Sequence, residues 1–416
     1  MLELFSQGLV IALTLENFVF MLIGAVLGIV FSAIPALTFS TALILLIPIT
    51  FGLSPVAAIS VLLGVFVGGM TGGSISSVLL GIPGTPSAAA TVLDGYTMTK
   101  KGLGGKALGV AIYSSIFGGL VSLVILILVA QPIANVAIKL GPPEMFALVI
   151  FGLSTIIGLS EGSVVKGLLS GLFGLLLCTI GLDPVMGLQR YTFGMPNLMI
   201  GVGLMPVMIG MFALPEVIDS FLTARKNKDK PVEKTEEKVK ASFPSFKEMK
   251  QLFPTNIKAS LIGTFIGAIP GTGGPIAVFM AYDVAKRSNP KVGTGVIDGV
   301  AAPESANNGV TGGALIPLLT LGIPGDSATA ILLGALMIHG LIPGPLLFRD
   351  NGPLVYAIFI SIFIINLMVL LIQFGGIKLF VRVLDVPKVN LMSIILVVSV
   401  VGAFAVNLNY ADIVIM

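Results

Sequence analysis

The chain has 416 residues, 56% hydrophobic and only 10% charged, with a mean hydropathy of +1.06. Soluble domains carry roughly 25% charged residues, so a water-soluble enzyme or binding module is excluded and lipid is the solvent. The net charge of +3 is mostly the imprint of one loop and gives no support to a nucleic-acid partner. Cys178 stands alone, which leaves no internal disulfide and no cysteine metal cluster. Fifty-one glycines and no tryptophan fit close helix–helix approach better than an aromatic belt. The start, MLELFSQGLVIALTLENF, lacks a basic n-region and an A-x-A site, so no cleaved signal peptide is expected.

In chain order, residues 4–34 hold one long apolar run, or a short interfacial helix followed by a span, ending at Ala33-Ile34-Pro35. A second apolar segment covers 38–51, a span is read at 55–69, and a broken span at 74–94. That break, Gly81-Ile82-Pro83-Gly84-Thr85-Pro86, ends one helix and starts another. Pro86 suits a first helical turn and Thr85 is placed to cap it. A basic turn with Lys100, Lys101 and Lys106 follows, then spans at about 108–130, 144–159, 164–182 and 197–222. Residues 224–255 hold nine basic and five acidic side chains and read as an aqueous, cytoplasmic linker between a first membrane repeat, 1–223, and a second, 256–416.

The second half repeats the first. Gly28-Ile29-Val30-Phe31-Ser32-Ala33-Ile34-Pro35 matches Gly263-Thr264-Phe265-Ile266-Gly267-Ala268-Ile269-Pro270 at an offset of 235. Thr71-Gly72-Gly73 matches Thr311-Gly312-Gly313 at 240, Gly81-Ile82-Pro83-Gly84 matches Gly322 to Gly325 at 241, and Ser115-Ile116-Phe117 matches Ser361-Ile362-Phe363 at 246. Loop charges set the two copies in opposite orientation. Lys100, Lys101 and Lys106 correspond to 341–352, which carries only Arg349 and Asp350, while Lys286, Arg287 and Lys291 correspond to the uncharged 48–55. Basic loops stay cytoplasmic, so equivalent loops face opposite sides.

Two broken apolar helices at corresponding places in two halves point to a transporter binding site. At each break a half-helix N-terminus offers free N–H groups and a positive dipole end to an anion. Gly84 and Gly325 would let the backbone approach a substrate held by the hydroxyls of Thr85, Ser87, Thr272 and Ser327. A second pair of breaks, Pro35-Ala36-Leu37-Thr38 and Pro270-Gly271-Thr272-Gly273-Gly274, adds Gly271 to that set. Carbonyls of the preceding half-helices suit a hard cation such as sodium. In 298–308, Glu304 shares a helical face with Asn307 and Asn308, a group suited to ion coupling because ionisable residues inside a span usually face a cavity or partner. The alternative sets this stretch at the membrane edge, with Pro303 starting a helix. Asp326 would repel an anion, so it caps its helix or binds the cation. Asp94 and Asp283 read as interfacial carboxylates paired with Lys or Arg, and His339 as a packed ring. No Walker A, G-x-S-x-G or H-E-x-x-H motif occurs. No catalytic residue, cofactor or metal cluster is therefore expected, and the energy must come from an ion gradient.

At GIPGTPSAAATVLDGYTMTKKG (81–102), AIPGTGGPIAVFMAYDVAKR (268–287), GVAAPESANNGVTGGALIPLLTLGIPG (299–325) and LLGALMIHGLIPGP (332–345), the chain resembles the large membrane subunit of tripartite tricarboxylate transporters, the TctA-like family. The resemblance covers essentially the whole chain. It implies a bacterial cytoplasmic-membrane permease that works with a small four-span membrane subunit and a periplasmic solute-binding protein. It also implies uptake of citrate-like or other carboxylates driven by Na+ or H+. The chain departs from the family at Thr97, where proline is frequent, and at Met416, where members continue through further spans.

The expected fold is an all-α polytopic membrane protein, an inverted-repeat secondary transporter of elevator type with two re-entrant helical hairpins. A stand-alone ion-coupled carboxylate or amino-acid permease and an intramembrane enzyme acting on lipid are the competing readings. The late offset of 246 would place the partner of Leu222 near position 468, so the second copy is expected to be C-terminally incomplete.

Overall fold

The computed structural model describes residues 2–34, 37–159, 163–183, 186–215, 217–218, 222, 241–383, 396–397, 399–401, 403–404 and 409–416. In chain order the longer helices are α1 (Leu2–Ala12), α2 (Leu15–Ala33), α3 (Phe39–Thr50), α4 (Pro55–Leu80), α5 (Ala89–Lys100), α6 (Gly104–Ala137), α7 (Pro142–Leu159), α8 (Val164–Cys178) and α9 (Leu204–Met208). Then follow α10 (Phe246–Gly267), α11 (Gly273–Ser288), α12 (Ile297–Leu321), α13 (Ser327–Ile338), α14 (Leu347–Asp350), α15 (Gly352–Val383) and α16 (Tyr410–Ile415). Two compact units interleave along the chain. The larger comprises Met1–Leu43, Leu53–Leu140 and Asp229–Val386, and so draws on both halves; the smaller comprises Ile44–Gly52, Gly141–Lys228 and Pro387–Met416. Linker residues 224–240 lie outside the described residues, and α10 begins at Phe246, inside the stretch read as linker, behind a Ser245/Glu248 capping box.

Among the described residues, four helices are long and apolar enough to cross a membrane: Leu15–Ala33, Pro55–Leu80, Gly104–Ala137 and Gly352–Ile377. Thr14 accepts a hydrogen bond from Asn17 N at the start of α2, separating it from α1; the short-helix reading of 4–34 therefore holds. Residues 55–69 and 74–80 form one continuous helix, α4, capped by Ser54 and with Pro55 in its first turn. A separate span ending at 69 is not seen, because the glycines at 68, 69, 72 and 73 mark a packing face and not a helix end.

In the larger unit the helices meet backbone to backbone. A Cβ on Gly28 of α2 would lie under 3.0 Å from Val65 O, and one on Gly68 or Gly72 of α4 equally close to Ala25 O or Ile29 O. The α10/α12 pair repeats these contacts residue for residue. Gly263 meets Ala306 O, Gly309 meets Ser260 O and Gly313 meets Thr264 O, again under 3.0 Å from the added carbon. The first helix of each pair is offset by 235 and the second by 241, so packing makes Gly72 equivalent to Gly313, not to Gly312 as the Thr-Gly-Gly match suggests. Small residues permit such approach where lipid offers no hydrophobic drive for helix association.

The two breaks also correspond. Gly81 and Gly322 end α4 and α12 in the left-handed region, at φ 68° and 70°, conformations that favour glycine. The chain then turns back along the helix it has left. A Cβ on Gly84 would lie 2.8 Å from Gly73 Cα, and one on Gly325 3.1 Å from Ala314 Cα. The next helix runs out again, so that Thr99 Oγ1 donates to Val78 O (2.7 Å) and Gly344 N to Leu319 O (3.1 Å). Each break therefore folds back against its own helix through a non-helical inbound limb, whereas the sequence reading had a helix on both sides of the tip; Pro83 and Pro324 each sit in that limb.

The basic turns of the two halves meet at one end of α12. Lys101 Nζ donates to Thr294 O, while the 341–344 segment packs at the other end of α12 against Leu319 and Gly322.

The smaller unit holds α7, α8, an antiparallel pair of two-residue strands, Gly181–Leu182 with Gln189–Arg190, and α9 running into a π-helical turn over Ile209–Ala213.

Gly263→Ala is expected to destabilise the protein by about 1–3 kcal/mol through overpacking. Gly375→Ala, with open space around its added carbon, should leave the melting temperature of the detergent-purified protein unchanged or slightly raised. Equal melting of both variants would contradict the packing.

Candidate functional site

The polar centre is built on α12. Its sequence is rich in Gly and Ala, so neighbours approach closely enough to bury it along nearly its full length. Pro303 lies inside the helix, and Glu304 is fully buried. The membrane-edge reading, which had Pro303 starting a helix, is thereby corrected.

Glu304 is held by hydroxyls from two other helices. Thr91 Oγ1 of α5 donates to Oε1 at 2.6 Å and Ser115 Oγ of α6 to Oε2 at 2.8 Å. Among the described residues no basic group forms an ion pair with it. Asn308 Oδ1 accepts from Thr71 Oγ1 of α4 at 3.1 Å, and its Nδ2 donates to Glu304 O at 3.2 Å. Asn307 Nδ2 donates to Met70 O at 2.7 Å, and its Oδ1 is buried without a partner. Thr85 and Ser87, at the first break, are buried with their hydroxyls 3.3 Å apart. A Cβ on Gly274 would touch both Ser87 and Asn307, so the first break, the start of α11 and the polar face of α12 converge there.

The other expected residues have partners of their own. A Cβ on Gly84 would lie under 3.0 Å from Ser32 O, and one on Gly325 under 3.0 Å from Gly267 O, an equivalent pair of contacts. Gly271 N donates to Gly325 O at 2.9 Å, with Gly271 at φ 83°. Thr272 Oγ1 is engaged by Ile266 O and Ile269 O at the end of α10. Asp326 accepts from Thr329 N at 2.8 Å as the N-cap of α13, the first of the two roles open to it, and Ser327 is exposed. Pro35 and Ala36 lie outside the described residues. Among the described residues no three His, Cys, Asp or Glu side chains gather.

Asp94 departs from its expected partner. It is fully buried and takes no Lys or Arg. Oδ2 accepts from Tyr282 OH and Gly293 N (both 2.8 Å), and Oδ1 from Gly295 N (2.6 Å) and Val296 N (2.9 Å). A run of free amides before a helix forms an anion-binding nest, here filled by a side chain of the other half. Asp283 does pair, with Arg287 at 2.7 Å. Sequence reasoning missed Thr71, Thr91, Ser115 and Gly274. A lone hydroxyl in a span more often bonds its own helix, and only the fold reveals which hydroxyls turn outward.

Several apolar spans around a buried polar helix, itself one of the two that end in a Gly-Ile-Pro-Gly break, define an all-α membrane protein with its polar chemistry inside. The chain belongs to the tripartite tricarboxylate transporter TctA family, whose model matches residues 18–416, which makes it a membrane transport component. It is 35% identical over 411 residues to an uncharacterized 52.8 kDa protein in the TAR-I ttuC' 3' region of Agrobacterium vitis, covering 98% of this chain and 81% of that one. It is 37% identical over 154 residues to an uncharacterized protein in the TAR-II ttuC' 3' region of the same organism, covering 36% of this chain and 64% of that one. No solved structure matches.

Asp94→Asn replaces one acceptor oxygen by a donor that faces existing donors. It should cost about 1–3 kcal/mol or more, read as a lower melting temperature and faster amide exchange at Gly293, Gly295 and Val296. Unchanged exchange at these three amides would contradict the clamp.

Proposed function

We propose that this chain is the permease subunit of a binding-protein-dependent secondary transporter. It takes up tricarboxylates or related carboxylates across the bacterial cytoplasmic membrane, driven by an inward Na+ or H+ gradient. The observation that carries the reading is Glu304: a buried carboxylate without a basic partner, held by hydroxyls of α5 and α6 beside a broken helix. An unpaired carboxylate in lipid is costly, and a coupling ion that binds and leaves gives it a role. The word tripartite in the family's description supports two further components, which this reading takes to be a small four-span membrane subunit and a periplasmic solute-binding protein. The substrate would sit at the broken-helix tips, with Gly84, Thr85 and Ser87 on one side and Gly325 and Ser327 on the other, Gly271 and Thr272 shaping the second. Half-helix N-termini there would draw its charge.

Two features support an inverted repeat in which one half moves a carboxylate past the other. The glycine–carbonyl contacts recur at fixed offsets of 235 and 241. The 100–106 turn packs beside 289–296, at the end of α12 opposite to its own counterpart, 341–352.

Glu304→Gln keeps the side chain's shape and removes its charge. Labelled citrate uptake in proteoliposomes containing all three components is expected to lose or shift its cation and pH dependence while expression stays near wild type. Full activity with an unchanged cation response would contradict coupling through Glu304. Uptake by this chain alone would favour the stand-alone permease.

A further inference from the structure

Asn307 is fully buried, and one bond fixes how its amide is turned. Nδ2 donates to Met70 O at 2.7 Å, a carbonyl that only the NH2 side can serve. Oδ1 therefore points away from α4 and meets no donor. It lies beside Gly274 and Ser87. A Cβ on Gly274 would lie 3.5 Å from Asn307 Oδ1, 2.9 Å from Ser87 Cβ and 3.6 Å from Ser87 Oγ. Ser87 Oγ is itself 3.3 Å from Thr85 Oγ1. Thr311 Oγ1, one turn beyond Asn307 on the same face, is also buried without a partner. An unmet buried acceptor costs about 1–3 kcal/mol, so Asn307 Oδ1 calls for a donor or a cation.

We infer that Asn307 Oδ1, Ser87 Oγ and Thr85 Oγ1 form a sodium site between α12 and the tip of the first broken helix. The inference rests on the transport reading above and names its coupling ion. A carboxylate substrate is repelled by an amide oxygen, and neither an amide nor an alcohol holds a proton near neutral pH. Both are ordinary oxygen ligands for a hard cation. No cluster of carboxylates is present among the described residues to call for a divalent ion. The single charge is offset by Glu304, three residues earlier on α12 and without a basic partner. Asn308 is excluded because Thr71 occupies its Oδ1, and Asp326 because its carboxylate caps α13. Glycine at 274 leaves Ser87 and Asn307 free of the side chain that would crowd them. An ion at the site ties the tip residues Thr85 and Ser87 to α12, so its arrival and departure bias the position of the first broken helix.

The test is the melting temperature of the purified full chain, titrated with NaCl against KCl and choline chloride at constant ionic strength. Wild type should be stabilised saturably by sodium and not by potassium. Asn307→Leu and Gly274→Ala should weaken the apparent sodium affinity about tenfold or more, and Asn307→Asp should retain the response. Should Asn307→Leu not fold, Gly274→Ala and the wild-type titration decide. A wild type indifferent to sodium, or variants that respond as wild type does, would overturn the site and leave water as the partner of Asn307. Labelled citrate uptake in proteoliposomes separates the two readings: sodium-independent uptake leaves transport standing without this site, whereas no uptake with all components present overturns the transport reading itself.

Discussion

Helix backbones in direct contact are the constraint on which the larger unit depends. In lipid, apolar side chains gain nothing by leaving the solvent, so helices associate through close packing and internal polar bonds. Here glycines in α2, α4, α10 and α12 bring neighbouring carbonyls within reach, and a single added carbon at any of them would collide. That approach lets short side chains on one helix bond the backbone of another, as Asn307 does to Met70 O and Ser305 Oγ to Ser114 O. It also leaves room for chain to turn back inside the unit after Gly81 and Gly322, where the tips settle against Ser32 O and Gly267 O. The polar centre exists because the helices around it are nearly bare.

A charged helix can then be kept in the interior. α12 is not among the helices apolar enough to be picked out as spans, yet it is buried from Asp298 to Thr320. Its carboxylates find hydroxyls: Glu304 has Thr91 and Ser115, and Asp298 has Thr255 at 3.0 Å. Asp94 adds the reverse case, an acid from the first half that satisfies three amides ahead of α12. Each of these bonds joins elements far apart in sequence, so the centre forms only when both halves are in place.

Much of this was legible in the chain. Most apolar runs coincide with helices, although the run read as a span at 197–222 shows short elements among its described residues, α9 and a π-helical turn beside a 3-10 turn. The two Gly-Ile-Pro-Gly breaks fell where α4 and α12 end, and the family resemblance rested on the motifs that line the centre. Glu304, Asn307 and Asn308 stood out because polar residues in a span need a reason. The rest depended on pairing that a linear pattern does not encode. Thr91 and Ser115 look like many other hydroxyls until α5 and α6 close on α12. Asp94 sat near lysines in sequence, but the amides of 293–296 reached it first. The break at 81–86 was clear, but not that its inbound limb would be non-helical, and the Thr-Gly-Gly identity misled by one residue because glycine content is shared more widely than register.

The central claim is that the two halves are equivalent and face opposite sides of the membrane. Single cysteines at Lys101, Asn289 and Asn351, in a background where the exposed Cys178 is replaced by serine, test it with a membrane-impermeant thiol reagent. The account predicts labelling at 101 and 289 only from the cytoplasmic side and at 351 only from the opposite side. Labelling of 101 and 351 from the same side would contradict it.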